Sequence, residues 1–188
     1  ELEQNFDYSQ GLVTLEEFLT QWLKRKKRDL KLKTWVDYQY TVEKKIIPHL
    51  GEMKIREITR QDIENLYDTM GLMGIGIPTI NKTHRVLRAA LNDAMRDDII
   101  LRNPARYAKP PKYIQPEMSI LEEYQLSHFI AAASESRFEA LYYLAVTTGM
   151  REGELLGLKW KDIKWETQVL HIQRQLTRIT GYGLQFTT

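Results

Sequence analysis

Apolar positions recur with a period near 3.6 through the first two thirds of the chain and near two at its end, a pattern that predicts helices followed by strands. Thr14-Leu15-Glu16-Glu17 has capping-box spacing, in which the Thr hydroxyl and the Glu carboxylate satisfy free backbone N–H groups, and Val13 with Phe18 has staple spacing. Leu15, Phe18, Leu19, Trp22 and Leu23 follow at helical intervals, so this helix buries one stripe while Lys24 to Arg28 stays wet. Thr34, with Asp37 three residues on, predicts the cap of a second helix that carries Tyr38, Val42 and Ile46 and ends at Pro48 and Gly51. Thr59 and Asp62 repeat the device, ahead of an apolar side made of Ile63, Leu66, Tyr67 and Met70. Gly71, Gly74, Gly76 and Pro78 predict a turn.

A fourth helix is predicted over 79–100. Ile80, Leu87, Leu91 and Ala94 fall on one face, and Asn81, Lys82, Arg85, Arg88 and Asn92 broadly opposite. Its first half is basic and its end acidic (Asp93, Asp97, Asp98), the reverse of what the helix dipole favours. Two readings fit. Either its early turns enter a DNA groove, with Asn and Arg reaching base edges and Lys the phosphates, or it is an amphipathic helix with an exposed basic side.

Arg102 to Gln115 reads as a linker, rich in proline (Pro104, Pro110, Pro111) and closed by Pro116. Helices are predicted over 122–133 and 138–146, the second apolar enough for a core helix, and a short one from Arg151. Strands are predicted over 162–165, 169–178 and 184–188, with turns at Glu166-Thr167 and at Gly181 to Gly183. A chain that stops in mid-strand reads as a piece of a longer protein. The organisation expected is an N-terminal linker (1–11), a helical domain (12–108), an interdomain linker (109–116) and the start of a second domain (117–188).

With 43% hydrophobic and 28% charged residues, the 188-residue chain has the composition of a folded globular protein. No apolar run approaches the roughly 20 residues that span a bilayer, and the acidic start differs from the basic lead of a secretion signal, so no membrane partner is expected and the location expected is cytoplasmic. Without cysteine, and with His49, His84, His128 and His171 lacking paired ligand spacing, no metal is expected. The net charge of +2 is unevenly spread. Residues 1–23 carry five acids and no Lys or Arg, whereas residues 24–115 carry twenty bases against eleven acids. A basic middle suits a polyanionic partner; solvated lysines on helix faces are the equally good alternative.

Thr148-Gly149-Met150-Arg151-Glu152-Gly153-Glu154-Leu155-Leu156-Gly157-Leu158, followed by Trp160 and Asp162-Ile163, resembles the first active-site box of tyrosine recombinases. Upstream, 34–51 with its Ile47-Pro48-His49-Leu50-Gly51 ending, Ile58-Thr59, Ile63 and 81–104 resemble that family's core-binding domain in order and spacing. The style is similar to integrases of phages and conjugative elements. The resemblance implies a mainly α chain: a helical SAM-like core-binding domain, then the first helices and small antiparallel sheet of an α+β catalytic domain. It implies double-stranded DNA as partner, with Thr34, Asn81, Lys82, Arg85 and Arg88 as the contacts.

The catalyst of a phosphoryl transfer must hold a phosphate and neutralise charge on its non-bridging oxygens, which a guanidinium does with two parallel N–H bonds. Arg151 is the candidate for that role, and Glu154 the acid that orients the site. A surface Arg–Glu pair at i,i+3, worth only about 0.2–0.5 kcal/mol, is the plain alternative. The family also needs a hairpin Lys, a distant His-x-x-Arg box and a C-terminal Tyr nucleophile. Residues 165–188 contain no Lys, His171-Ile172-Gln173-Arg174 lies too close to Arg151 and in a predicted strand, and Tyr38, Tyr67, Tyr142 and Tyr143 sit in helical stripes that suit a core. The resemblance implies that the full protein recombines DNA through a 3′-phosphotyrosyl bond without cofactor or metal, as a homotetramer on attachment sites and with an excision factor as a further partner, and that this chain alone binds DNA without cutting it. A non-catalytic DNA-binding protein with a remnant box, or a helical protein-interaction module, would share much of the pattern.

Overall fold

The computed structural model describes residues 13–187, so the expected N-terminal linker (1–11) lies outside the described residues. The chain divides into two compact units, Glu1–Gln115 and Pro116–Thr188.

The first unit is helical. Helix α1 (Leu15–Asp29) starts at the expected capping box, with the Thr14 hydroxyl accepting from the Glu17 N–H and the Glu17 carboxylate accepting from that of Thr14. Its stripe of Leu15, Phe18, Leu19, Trp22 and Leu23 is buried. Helix α2 (Leu32–Thr41) begins earlier than its sequence predicts: Lys31, not Thr34, is the N-cap, and Thr34 lies inside the helix. Since α1 runs to Asp29, only Leu30 and Lys31 are left to turn the chain. Packing fixes that start, because Trp35 donates its indole N–H to the Leu23 carbonyl (3.1 Å) and Tyr38 stacks on Trp22 (5.6 Å between rings). A π-helical turn (Val42–Ile46) and a short α3 (Ile47–Leu50) continue to Gly51.

Helix α4 (Arg60–Leu72) is capped by Thr59 and Asp62 as expected and buries Ile63, Leu66, Tyr67 and Met70. Helix α5 (Ile77–Arg96) starts with Pro78 in its first turn and ends four residues before the expected boundary, where Asp98 takes a left-handed conformation (φ 56°) and turns Ile99 and Ile100 into the core. Ile80, Leu87, Leu91 and Ala94 are all buried. The expected linker at 102–115 is in part a packed tail, since Asn103, Ala105 and Ala108 are buried.

In the second unit, α6 (Glu123–Ala133) and α7 (Glu139–Thr148) precede α8 (Glu152–Gly157). The expectation that α7 is a core helix fails here, for none of its residues is buried. Tyr142 meets the Phe129 ring edge-on, yet Tyr142 and Tyr143 are both exposed, and Leu141, Leu144, Ala145 and Val146 are only half-buried. Two antiparallel hairpins follow: β1 (Ile163–Lys164) with β2 (Val169–Leu170), and β3 (Gln175–Ile179) with β4 (Gly183–Thr187). The single strand expected over 169–178 is therefore broken at 171–174, and His171 lies outside any strand. The break turns the Arg174 guanidinium onto Asp162, a carboxylate buried at 1% exposure.

Candidate DNA interface and catalytic box

The polar face of α5 divides along its length. On one edge, Lys82 pairs with Asp37 of α2 (3.3 Å), and Asp93 accepts from the Trp22 indole N–H (2.7 Å) and from Lys26 (3.0 Å) and pairs with Arg96; Asp97 pairs with Arg25 (2.7 Å). The acidic end of α5 is thus matched to the basic end of α1, a tertiary pairing that accounts for half of the helix's inverted charge order. On the other edge, Asn81 donates to the Pro111 carbonyl (3.0 Å) and to that of Ile77 (3.1 Å), while Asn92 accepts from Asn103 (2.8 Å). Arg85 stands between these edges and Arg88 just beyond the Asn81 edge, both exposed and without an ion pair among the described residues. Thr34 is half-buried on α2.

Behind that ridge His84 is buried and its Nδ1 lies 2.6 Å from the Tyr67 hydroxyl. Burial, then the charges of Arg88 and Arg85, hold the imidazole below its ordinary value, and burial pushes the Tyr67 phenol well above the usual phenol range. Sequence periodicity missed this pair, because His84 falls at the edge of the apolar stripe where no pattern distinguishes it.

In the second unit the box is built by glycine. Gly149 ends α7 in the left-handed conformation (φ 66°), which costs a residue with a Cβ roughly 1–2 kcal/mol, and the chain reverses to make Arg151 the N-cap of α8. Glu154 then holds Arg151 twice, accepting from its backbone N–H (3.0 Å) and from its guanidinium (3.1 Å). The backbone bond, first, and the guanidinium keep the Glu154 carboxyl below the usual carboxylate range. The Arg151 side chain remains 84% exposed, with one guanidinium nitrogen held by Glu154. At the other end of α8, a Cβ on Gly157 would lie 2.8 Å from the Arg174 carbonyl oxygen, which shows how closely the helix meets the chain entering β3. Asp162 secures the same junction, accepting from the Lys159 N–H (2.9 Å) and from Arg174. Sequence reading set Arg174 aside as part of a false His-x-x-Arg box; its role is structural.

Among the described residues no group of His, Asp and Glu is arranged to hold a metal ion, and no helix is long and apolar enough to cross a membrane.

Two family models match the chain in order: the phage integrase N-terminal SAM-like domain over 14–71 and the phage integrase family over 119–182. An integrase of Saccharopolyspora erythraea is 33% identical over 170 residues, which cover 89% of this chain and 39% of that protein. A XerC-like tyrosine recombinase of Caldanaerobacter subterraneus is 31% identical over 176 residues, covering 89% and 45% respectively. This chain therefore spans less than half the length of these relatives. A solved structure of the Tn1549 transposon integrase in complex with circular intermediate DNA shares the fold at a TM-score of 0.79 and 24% identity, over 93% of this chain and 59% of that one. With both halves matched in the same order and the arginine box intact between α7 and α8, the chain belongs to the phage integrase family of tyrosine recombinases.

Proposed function

We propose that this chain is the DNA-gripping and phosphate-orienting part of a site-specific recombinase that integrates or excises a mobile element. The observation that carries the reading is Arg151 at a glycine-made turn, whose exposed guanidinium and backbone N–H each donate one bond to Glu154. A fork so held meets the non-bridging oxygens of a scissile phosphate in two-point contact, and stabilises the transition state more than the ground state as charge develops there. In the full-length protein a tyrosine attacks the phosphodiester and keeps the bond energy in a 3′-phosphotyrosyl link, so strand exchange needs no ATP. Lys82, Arg85, Arg88 and the α2 face around Thr34 hold the duplex, four protomers bring two attachment sites together, and an excision factor sets direction. Alone, this chain binds DNA and leaves it uncut. The matched integrases and the DNA-bound fold relative support this reading over a non-catalytic binding protein.

The test is Arg151→Lys and Arg151→Ala in the full-length protein on a nicked suicide substrate. Both variants should keep gel-shift affinity and lose covalent adduct. Adduct formation at the wild-type rate would remove Arg151 from the active site.

A further inference from the structure

The face of α5 opposite the core is not open along its whole width, because the tail that leaves the first unit is stitched to it. Asn103, 1% exposed, donates to the Arg88 carbonyl (3.0 Å) and to Asn92 (2.8 Å) and accepts from the Ala105 N–H (2.9 Å). Six residues on, the Lys109 N–H donates to Glu64 of α4 (3.0 Å), whose carboxylate is also held by Arg60 (2.9 Å). Asn81 closes the row at the Pro111 carbonyl (3.0 Å). Pro110 and Pro111 have no N–H to offer and stiffen the backbone between the last two anchors. From Asn103 to Pro111 the chain thus runs as a strap with a tie at each end and one between, all from side chains of α4, α5 and the tail itself.

On the reading that this unit binds DNA, we propose that Asn81 is a positioning residue that fixes where the interdomain connection departs, and not a base contact. Its two amide hydrogens already point to the carbonyls of Ile77 and Pro111, so its donor end is spent. A base-reading Asn must turn both its amide nitrogen and its oxygen to an adenine, which here would release the strap. Holding the strap shortens the free connection to the few residues after Pro111. Two DNA-binding units joined by a short, directed connection bind as one ligand, with a higher effective concentration than units on a loose one.

The experiment uses the whole chain and two readouts. Without DNA, limited trypsin digestion at the Lys112–Tyr113 bond reports release of the strap; Lys109 precedes proline and is not cut. Loss of one net hydrogen bond should speed that cleavage roughly 3- to 10-fold in Asn81→Ala and in Asn81→Asp. Glu64→Ala, which cuts the other tie from a different helix, should do the same and keeps the test alive should the Asn81 variants fold poorly. With DNA, Asn81→Ala should weaken attachment-site and scrambled duplexes by the same factor. Unchanged cleavage in all three variants, or a selective loss on attachment-site DNA, would overturn the proposal. Should the wild-type chain shift no DNA at all, the binding reading fails while the cleavage rates still decide the strap.

Discussion

Asp93→Ala tests whether the acidic end of α5 serves the fold. Trp22 is buried at 1% exposure and its indole N–H has Asp93 as partner (2.7 Å), so the variant strands a donor in the core. A hydrogen bond to a charged acceptor contributes about 1.5–3 kcal/mol. Loss of the largely buried Lys26 pair adds about 0.2–1 kcal/mol. Against this, removing an acid from the last turns relieves a dipole conflict of about 0.3–1 kcal/mol. The net loss is about 1.5–3 kcal/mol, and for a unit of this size each kcal/mol lowers the melting temperature by roughly 4–8 °C. Asp93→Asn keeps an oxygen for the indole and should lose less than half as much. Urea denaturation of Asp93→Ala, Trp22→Phe and the double variant isolates the pair, because Phe has no N–H to strand. A coupling energy near zero would refute the account, and the inverted charge order of α5 would again need DNA to explain all of it.

The ridge should behave electrostatically: Arg85→Ala with Arg88→Ala should weaken duplex binding and flatten its dependence on salt by about two released counterions in a log–log plot, as read by fluorescence anisotropy. His84 faces Tyr67, Arg85, Arg88 and, through Tyr67, Glu64. Because its folded value lies below the ordinary 6.5, the unfolded chain takes up the proton first, so stability should fall as pH drops from about 6.5 toward that lower value, and His84→Gln should flatten the slope seen in urea midpoints. Gly157→Ala places a methyl 2.8 Å from the Arg174 carbonyl oxygen and should cost about 1–3 kcal/mol, read as faster tryptic cleavage after Arg174; Gly153→Ala, at 3.0 Å from the Leu176 oxygen, should cost less. In the full-length protein, Glu154→Gln should keep most adduct formation and Glu154→Ala should not, since a Gln oxygen still accepts the Arg151 N–H.

Helix starts were legible in the sequence wherever the cap was local. Thr14 with Glu17 and Thr59 with Asp62 close bonds within three residues, so letters alone carry the geometry. Thr34 with Asp37 has the same letters and fails, because the start of α2 is decided by Trp35 and Tyr38 packing on α1, a contact no short window contains. The strand over 169–178 fails for a similar reason. Alternation was present, but Arg174 reaches back twelve residues to a buried carboxylate and the chain bends to let it.

The site shows the same division. Arg151 and Glu154 lie three residues apart on either side of a helix start, so their bond is implied by sequence once the turn at Gly149 is placed. The sequence makes the face of α5 legible as polar, but not which of its residues the fold itself engages. Helical phase puts Asn81, Lys82, Arg85 and Arg88 on one side of a cylinder, but not what approaches that side. Lys82 meets an acid from α2, and Asn81 meets a carbonyl thirty residues away. A polar residue whose hydrogen bonds are met within the fold has less to give a ligand, since each bond must be broken before another is formed. Arg85 and Arg88 have no such commitment, and their exposed guanidiniums are where an approaching phosphate backbone gains most.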